Sequence, residues 1–445
     1  MICLNSVGSL RPRPYNALVN VALTDSPRVL ARPDHLISRR SIDVNAIKVL
    51  YRLHRSGFKG YMVGGAVRDL MLDRVPKDFD VSSDARPQQI RRLFRNSRII
   101  GRRFRLVHVY FRQGIVEVST FRGNPDPGAQ KSAPGERLIT NDNVFGSPSE
   151  DASRRDFTVN ALFYDISDFS VIDYVGGIDD LNRRLIRTIG DPDLRFCEDP
   201  VRMLRACELA GRLDFQIDGK TKEAIVRQSR EIAKAAAPRL NEEIVQILRT
   251  KKAAAILDLA CEYELLGEFL PEADQMIRSG NRNEGGFKEV PVAIDGLVAS
   301  GRELSPTALL GSLLLPRVLD QRRKREEGNQ RPLRRGAQRA LIQDQLAPFA
   351  AKLALPRQRS WEIGEGLSLF FRLGESWKNR EEQVRFATRA VFDDALDMLE
   401  IMTLATGGSE GTLSEWKAIQ RNRPKIRRKS VARKRPQRRR RRRPR

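Results

Sequence analysis

Two short groups of residues near the start of the chain could act together on a phosphate. The first, Gly64-Gly65-Ala66-Val67-Arg68-Asp69, has a glycine pair that lets backbone N–H groups approach a triphosphate, and Arg68 adds a cation. The second is Asp78-Phe79-Asp80, whose carboxylates share one face if residues 77–82 are extended. Each half alone is common in ordinary turns and strand edges. Together, in this order, they predict a nucleotidyl-transfer site with Asp78 and Asp80 as ligands of two Mg²⁺ ions.

Periodicity predicts a small sheet with helices around these motifs. The apolar spacing in residues 43–56 predicts a helix, and Gly60 to Val63 predicts a buried strand that enters the glycine turn. Ala66 to Leu72 then predicts a helix. Further on, a helix is predicted at 87–94 and strands at 99–100, 106–111 and 114–121, followed by a Gly- and Pro-rich loop at 122–143.

From about residue 186 the strand signals end and helical spacing continues. We therefore predict an α+β protein with a head at 36–185, an all-helical neck at 186–250 and an all-helical body at 251–415, with a charged interruption at 321–332. We predict a disordered leader at 1–35, for which an organellar transit peptide is the alternative. A disordered Arg-rich tail is predicted at 416–445.

Charge indicates a polyanionic partner. The formal net charge is +25, and residues 421–445 contain sixteen Lys or Arg and no acidic residue. An arginine run this dense favours contact with nucleic acid over a purely solvating tail or a localisation signal. The four cysteines and three histidines show no paired spacing, so neither a zinc site nor a disulfide framework is predicted, and a reduced cytoplasmic protein is expected. No stretch has the length of a membrane span.

Five motifs in order resemble the class II tRNA nucleotidyltransferase and bacterial poly(A) polymerase family, over about residues 35–270. They are Gly64 to Asp69, Asp78 to Asp80, Arg154-Arg155-Asp156-Phe157-Thr158-Val159-Asn160-Ala161-Leu162, Gly176-Gly177-Ile178-Asp179-Asp180-Leu181 and Glu198-Asp199-Pro200-Val201-Arg202-Met203-Leu204-Arg205-Ala206. The resemblance implies a polymerase-β-like nucleotidyltransferase head, a neck that selects the nucleotide and a helical body that binds RNA.

The resemblance also implies roles for individual residues. Gly64, Gly65 and Arg68 would hold the triphosphate, and Asp78 and Asp80 the metals. For the third carboxylate there are two candidates, which both stay open. One is Glu117, on a strand that could pair beside Asp80, and the other is Asp156, which could instead hold the ribose or an arginine. Further substrate-binding residues implied by the motifs are Arg155, Asn160, Asp199, Arg202 and Arg205.

Asp199 and Arg202 are three residues apart, so on one helix they would share a face. The carboxylate can accept from an exocyclic amine while the guanidinium donates to the adjacent ring nitrogen, which suits adenine and cytosine and excludes uracil and guanine. A surface ion pair at a helix start is the alternative. The family usually has a basic residue near position 208, where this chain has Glu208, which puts a phosphate or neck contact there in doubt.

These features lead to a functional expectation with two rivals. We expect a template-independent adenylyltransferase that uses ATP and Mg²⁺ on RNA 3′ ends. It is expected to act as a monomer in RNA processing and decay and to contact RNA-decay proteins. The nearest rival is a CCA-adding enzyme. The segment Gly101-Arg102-Arg103-Phe104-Arg105-Leu106-Val107-His108-Val109 and the Arg-rich tail look like those of poly(A) polymerases. The third interpretation, an inactive RNA-binding protein, is disfavoured by the intact acidic pair.

Overall fold

The head is built on one mixed sheet. The computed structural model describes residues 26–101, 105–123, 144–279, 286–408 and 410–423. The predictions for residues 1–25, Arg102, Arg103, 124–143 and 424–445 therefore lie outside the described residues. The sheet has eight strands: β1 Arg28–Leu30, β2 Gly60–Val63, β3 Asp80–Ser83, β4 Ser97–Ile100, β5 Leu106–Phe111, β6 Gly114–Thr120, β7 Leu162–Asp165 and β8 Val171–Asp173.

The strand order is β1-β8-β7-β2-β3-β6-β5-β4, so the strand before the glycine turn lies inside the sheet. All four residues of β2 are buried, as the apolar run predicted. β2 pairs antiparallel with β3 and with β7, while β3 pairs parallel with β6. This single parallel pair within the described sheet makes it mixed, and it brings the starts of β3 and β6 to the same edge.

Five α-helices of the head pack on this sheet or flank it. The first, α1, begins after Asp43, whose carboxylate accepts from the amides of Asn45 and Ala46, and its apolar side is buried as predicted. The helix after the glycine turn is buried over most of its length, which fixes the turn against the sheet. The helices are α1 Val44–Arg55, α2 Gly65–Met71, α3 Pro87–Leu93, α4 Pro148–Arg154 and α5 Gly177–Asn182.

The neck consists of four helices and one short strand pair. The helices are α6 Pro192–Glu198, α7 Val201–Leu213, α8 Gly219–Gln228 and α9 Ala237–Leu248. The prediction of an all-helical neck is wrong at one point, because β10 Gln216–Ile217 pairs in parallel with β9 Leu185–Ile186. The amide of Gln216 donates to the carbonyl of Arg184 at 2.9 Å. Two residues are too short for a periodic signal, so the sequence could not reveal this connection between head and neck.

The body is helical, as predicted. Its helices are α10 Ala253–Glu262, α11 Leu266–Phe269, α12 Pro271–Ser279, α13 Glu289–Ala299, α14 Pro306–Asn329, α15 Arg335–Lys352, α16 Arg357–Leu373, α17 Arg380–Ala387, α18 Phe392–Thr406 and α19 Glu410–Asn422. The predicted interruption at 321–332 is wrong for most of its length, because α14 continues to Asn329. Charged side chains one turn apart support it there: Asp320 pairs with Lys324 at 2.8 Å, and Arg322 with Glu326 at 2.9 Å.

Both terminal boundaries differ from the prediction. Arg28–Leu30 lies within the predicted leader but pairs antiparallel with β8; its side chains are mostly exposed, so no alternation marked it. Trp416 lies within the predicted tail but is buried in α19, and its Nε1 donates to the carbonyl of Leu373 at 2.9 Å. Among the described helices, none combines the length and apolar character needed to cross a lipid bilayer.

Candidate active site

The glycine turn joins β2 to α2 and faces a cleft. Gly64 has a φ of 74°, and a Cβ placed on it would lie 3.1 Å from Nη1 of Arg155. Its amide donates to the carbonyl of Leu162 on the neighbouring strand at 3.2 Å. The backbone conformation therefore disfavours a side chain at position 64, and an added Cβ would also crowd the end of the Arg155 side chain. Gly65 begins the helix and lines the same cleft.

The side chain of Arg68 is buried and stabilises the glycine turn. Its side chain is 4% exposed, with Nη2 2.7 Å from Oδ1 of Asp69, and Nη1 donates to the side-chain oxygen of Asn160. Burial lowers the pKa of Arg68, and Asp69 opposes that effect. The guanidinium that is predicted to contact the triphosphate therefore already joins α2 to the segment carrying Asn160.

The two predicted metal ligands do not share a regular strand. β3 starts at Asp80, and Asp78 lies before it, so the expectation of an extended stretch over residues 77–82 is wrong at its beginning. Both side chains nevertheless line one large cleft. Asp78 therefore reaches the cleft from the loop before β3, and not through the alternation of side chains along a strand.

Glu117 lies beside Asp80 because of the parallel pairing of β3 and β6. Val81 is the partner of Val118, so the preceding residues are neighbours: Asp80, at the start of β3, and Glu117, in the middle of β6. Removal from bulk water in the cleft and the charge of Glu117 raise the pKa of Asp80 to about 6; Arg155 opposes this, and Asp78 adds to it. Negative charge thus accumulates at this edge of the sheet.

The acidic edge suits a hard cation. In the part of the chain that the structure describes, no group of three His, Cys, Asp or Glu side chains is arranged to hold a metal ion by itself. Mg²⁺ commonly takes one or two protein carboxylates and completes its coordination with substrate phosphates and water. Removal from bulk water, followed by repulsion from Glu117, raises the pKa of Asp80, and a bound cation would offset both effects. Asp78 and Asp80 therefore fit Mg²⁺, with Glu117 adjacent.

A buried carboxylate that the sequence analysis missed orders two arginines of the cleft. Asp151, on α4, accepts from Nε of Arg122 at 3.1 Å and from Nη2 of Arg155 at 2.9 Å, and its side chain is 2% exposed. Burial opposes ionisation, but Arg155 and Arg122 together lower the pKa of Asp151. Asp151 is therefore an anion that holds two cations beside the glycine turn. In the sequence, the spacing of four residues between Asp151 and Arg155 was the signal that could have indicated this ion pair.

Asp156 holds an arginine, one of the two alternatives raised for it besides catalysis. Its Oδ2 lies 2.7 Å from Nη2 of Arg205, and its Oδ1 accepts from Asn160 at 3.1 Å and from the amide of Phe157 at 2.9 Å. Burial would raise its pKa, but Arg205, Asn160 and Arg202 lower it to about 2. The carboxylate therefore stays ionised and links the head to the neck helix α7.

Most predicted site residues meet in one pocket of about 280 Å³. Asp78 and Arg68 line the larger adjoining cleft, which shares Asp80 and Gly65 with the pocket. Glu117 borders Asp80, and its Oε1 lies 2.9 Å from Nε2 of His108. The residues that line the pocket are Gly64, Gly65, Asp80, Arg122, Arg154, Arg155, Asp156, Asn160, Asp199, Arg202, Arg205 and Arg239.

The predicted base-reading pair reaches the pocket in a different way from that expected. Asp199 does not share a helix face with Arg202, because it lies between α6 and α7 with a φ of −151°. Both carboxylate oxygens of Asp199 accept from Arg239 of α9, at 2.8 and 3.0 Å. The sequence analysis missed Arg239, since forty residues separate the partners. Burial, followed by the charge of Arg195, lowers the pKa of Arg202 to about 10, so its guanidinium remains a cation at neutral pH.

Arg195, also missed, connects the neck to the head motif. Its Nη2 donates to the carbonyls of Arg154 and Arg155 at 2.6 and 2.7 Å, and its Nη1 donates to Glu198 at 2.9 Å. These contacts hold α6 against the segment that supplies Arg155 and Asp156. The geometry of the pocket therefore depends on a side chain from α6.

Comparison with known proteins identifies the head. Residues 60–187 match the family model described as "Poly A polymerase head domain", and residues 214–277 match "Probable RNA and SrmB-binding site of polymerase A". The head is therefore similar to a poly A polymerase head domain over residues 60–187. This confirms the resemblance predicted from the motifs for the part of the chain that carries the pocket.

Curated relatives of two kinds match the chain. Poly(A) polymerase I of Escherichia coli O157:H7 is 46% identical over 55% of this chain and 53% of its own length. Poly(A) polymerase I of Haemophilus influenzae is 42% identical over 53% of each chain, and the CCA-adding enzyme of Bacillus licheniformis is 36% identical over 52% of this chain and 56% of its own. The chain thus spans about half the length of the curated relatives it matches.

Solved structures share the architecture. The Bacillus stearothermophilus CCA-adding enzyme in complex with CTP superposes with a TM-score of 0.60 at 25% identity, over 84% of this chain and 80% of its own. A tRNA nucleotidyltransferase complexed with a primer tRNA and an incoming ATP analogue gives 0.52 at 22% identity, over 83% and 96%. The predicted fold class, an α+β head followed by a helical remainder, is therefore confirmed.

Beyond the pocket, the head faces the neck and body across a cleft of about 1080 Å³. Lys77 of the head donates to Gln246 of the neck at 3.1 Å, and Arg302 lines the cleft from the body. Glu208, where the family usually has a basic residue, accepts from Nε of Arg212 at 2.6 Å. α7 therefore carries a cation, Arg212, on this wall of the cleft, one helical turn after Glu208.

Proposed function

We propose that this protein is a template-independent RNA 3′ adenylyltransferase, which adds AMP from ATP to RNA 3′ ends and releases pyrophosphate. The observation that carries the proposal is that the glycine turn, Asp80 with the neighbouring Glu117, and the side chains of Asp199 and Arg202 meet at connected clefts. Relatives named poly(A) polymerase I, at up to 46% identity, support adenylyl transfer.

Several residues of the pocket together bind the triphosphate. Arg122 and Arg155, which Asp151 orients, donate to phosphate oxygens beside the glycine turn. Asp78 and Asp80 would hold two Mg²⁺ ions, which would supply activation of the RNA 3′ hydroxyl and offset the charge that develops on the phosphate. The 3′ hydroxyl gives its proton to water, its oxygen bonds to the α-phosphorus, the bond from that phosphorus to the oxygen that bridges to the β-phosphorus breaks, and pyrophosphate leaves.

We assign the third carboxylate to Glu117. It neighbours Asp80 across the parallel strand pair and raises the pKa of Asp80, which requires proximity. The oxygens of Asp156 already accept from Arg205, Asn160 and the amide of Phe157, so Asp156 orders the pocket wall. Under this assignment Asp156 acts on the substrate through Arg205.

Base selection falls to Asp199 and Arg202. Asp199 accepts from the exocyclic amine, and Arg202 donates to the neighbouring ring nitrogen, a pattern that adenine and cytosine share. Uracil and guanine present the reverse order and would leave buried groups unpaired. Neck residues 186–250 therefore select the nucleotide in our proposal, and body residues 251–415 bind RNA.

The second candidate, a CCA-adding enzyme, is favoured by the similarity to enzymes of that name and by a base-reading pair that suits cytosine equally well. A primer-extension assay separates the two. Purified protein, Mg²⁺ and a labelled generic RNA would receive ATP, CTP, GTP or UTP singly. Long ladders with ATP alone support the adenylyltransferase. Short additions that require CTP and ATP on a tRNA lacking its 3′ end support the rival, and no incorporation contradicts both.

We further propose that the enzyme works as a cytoplasmic monomer in RNA processing and decay and contacts RNA-decay proteins. The match of residues 214–277 to a segment described as a probable RNA and protein-binding site supports this. Light scattering at assay concentrations checks the monomer, since a mass near twice 50.6 kDa would contradict it. Unchanged transcript half-lives in cells lacking the protein would contradict the role in decay.

A further inference from the structure

The carboxylate expected to read the base is already engaged. Nη1 and Nη2 of Arg239 lie 2.8 and 3.0 Å from the two oxygens of Asp199, as two parallel hydrogen bonds. The side chain of Asp199 is 14% exposed, and both residues line the pocket that contains the glycine turn. The pair therefore belongs to the wall of the nucleotide pocket.

This contact leaves Asp199 able to accept one more group. A carboxylate has about four acceptor positions, and the guanidinium fork takes one on each oxygen. The remaining positions can receive an exocyclic amine of a base. The fork also fixes the plane of the carboxylate, so the free positions point in one direction.

Nothing else near Asp199 supplies that orientation among its described contacts. Asp199 lies between two helices, with φ and ψ of −151° and 88°, so regular helix geometry does not determine its side-chain direction. Arg239, by contrast, stands in the first turn of α9, next to the buried Leu240. Arg239, on a packed helix, therefore orients the carboxylate of Asp199, which lies in the irregular segment between α6 and α7.

We propose that Arg239 is a positioning residue for base selection, which acts by holding the Asp199 carboxylate in the direction that accepts an exocyclic amine. The inference rests on the proposed function and extends it to a residue outside the five motifs. Without Arg239, Asp199 would turn among several rotamers, and the pocket would lose both affinity for the correct base and discrimination against the wrong ones.

The test compares steady-state kinetics of full-length variants on labelled RNA with each nucleotide separately. Arg239→Ala should raise KM for ATP about tenfold with a smaller change in kcat, and lower the preference for ATP over GTP about tenfold, as expected when one oriented hydrogen bond to a charged group is removed. Arg239→Lys should recover only part of the preference, because an ammonium cannot form the fork. In an Asp199→Ala background, Arg239→Ala should change the preference little further.

A matched control lies in the same neck. Arg227 pairs with Asp193 at 2.8 Å, outside the pocket, so Arg227→Ala should keep both KM and preference. An equal loss with all four nucleotides, at unchanged preference, would show that Arg239 contacts the shared triphosphate and overturn the inference. Unchanged KM and preference in a variant with the wild-type melting temperature would also overturn it. If the wild-type protein incorporated no nucleotide, the proposed function would fail and this inference with it.

Discussion

Nε2 of His108 lies 2.9 Å from Oε1 of Glu117, across the antiparallel pair of β5 and β6. Glu117 in turn borders Asp80 across the parallel pair of β3 and β6. His108 belongs to the segment that the sequence analysis used to separate two kinds of transferase. Part of that segment thus contacts the carboxylate to which we assign the third catalytic position.

The assignment of the third carboxylate can be tested directly. Glu117→Gln should lower kcat about hundredfold, since it removes a charge at the metal edge and keeps the shape. Asp156→Asn should instead lower the free energy of unfolding by about 2 kcal/mol, allowing for the partly exposed Arg205 partner. Single-turnover rates and urea titrations separate the effects. The reverse pattern would move the role to Asp156.

Asp80 should make the metal-free protein less stable at neutral pH. Its pKa of about 6 lies above the ordinary value of 3.8, because the cleft partly removes the carboxylate from bulk water and because Glu117 lies close to it. The folded protein therefore binds this proton more tightly than the unfolded chain, and the contribution of the site to stability rises as pH falls from above 6 towards 4. Asp80→Asn should raise the melting temperature at pH 7.5, with the difference vanishing near pH 4. A difference that grew on acidification would contradict the shift.

Gly64→Ala should remove activity and lower the free energy of unfolding by about 1–3 kcal/mol, because φ is 74° and the new methyl group would meet Arg155. Gly57→Ala is the matched control: φ is 81° there and no atom lies within 4 Å of the added carbon. Calorimetry should show a smaller loss for Gly57→Ala, and the primer-extension rate should not change. Equal losses of stability would show that the contact with Arg155 is unimportant.

Asp151→Asn should raise KM for ATP about tenfold, because Arg122 and Arg155 would lose the charge that directs them into the pocket. The free energy of unfolding should also fall by about 3 kcal/mol, since a buried carboxylate between two cations is replaced. Asp193→Asn, which alters a more exposed pair with Arg227, serves as the control. An unchanged KM in a folded variant would remove Asp151 from the binding of the triphosphate.

Deleting residues 424–445 should weaken RNA binding and flatten its salt dependence without changing the single-turnover rate on saturating RNA. For every phosphate of single-stranded RNA that the shortened chain no longer neutralises, the slope of log K against log salt should fall by about 0.7. Fluorescence anisotropy between low and moderate salt measures this. A slope equal to that of the full chain would show that the tail does not contact RNA.

Local patterns predicted the parts of the site that lie within one motif. The apolar run of β2, the glycine turn and the helix after it followed from periodicity and from the conformational freedom of glycine. The neighbourhood of Asp80 and Glu117 also followed, because alternation suggested two strands that could pair. These signals extend over few residues, so one sequence suffices to read them.

The connections between motifs could not be predicted in the same way. Asp199 and Arg239 are forty residues apart, and Arg195 meets Arg154 and Arg155 about forty residues back along the chain. Such pairs depend on how packed helices are placed, and no short spacing encodes that. The extension of α14 through a charged stretch was missed for a related reason, since its support comes from ion pairs along an exposed helix surface.

The strand pair of β9 and β10, together with Arg195, joins the base-reading neck to the head at two separate places. A neck fastened in this way cannot swing away from the catalytic edge without breaking both backbone pairing and buried hydrogen bonds. Successive additions would then leave head and neck as one stationary unit. Under the proposed function, the RNA strand that is being lengthened would itself move backward by one nucleotide each round, past a protein pocket that keeps its shape.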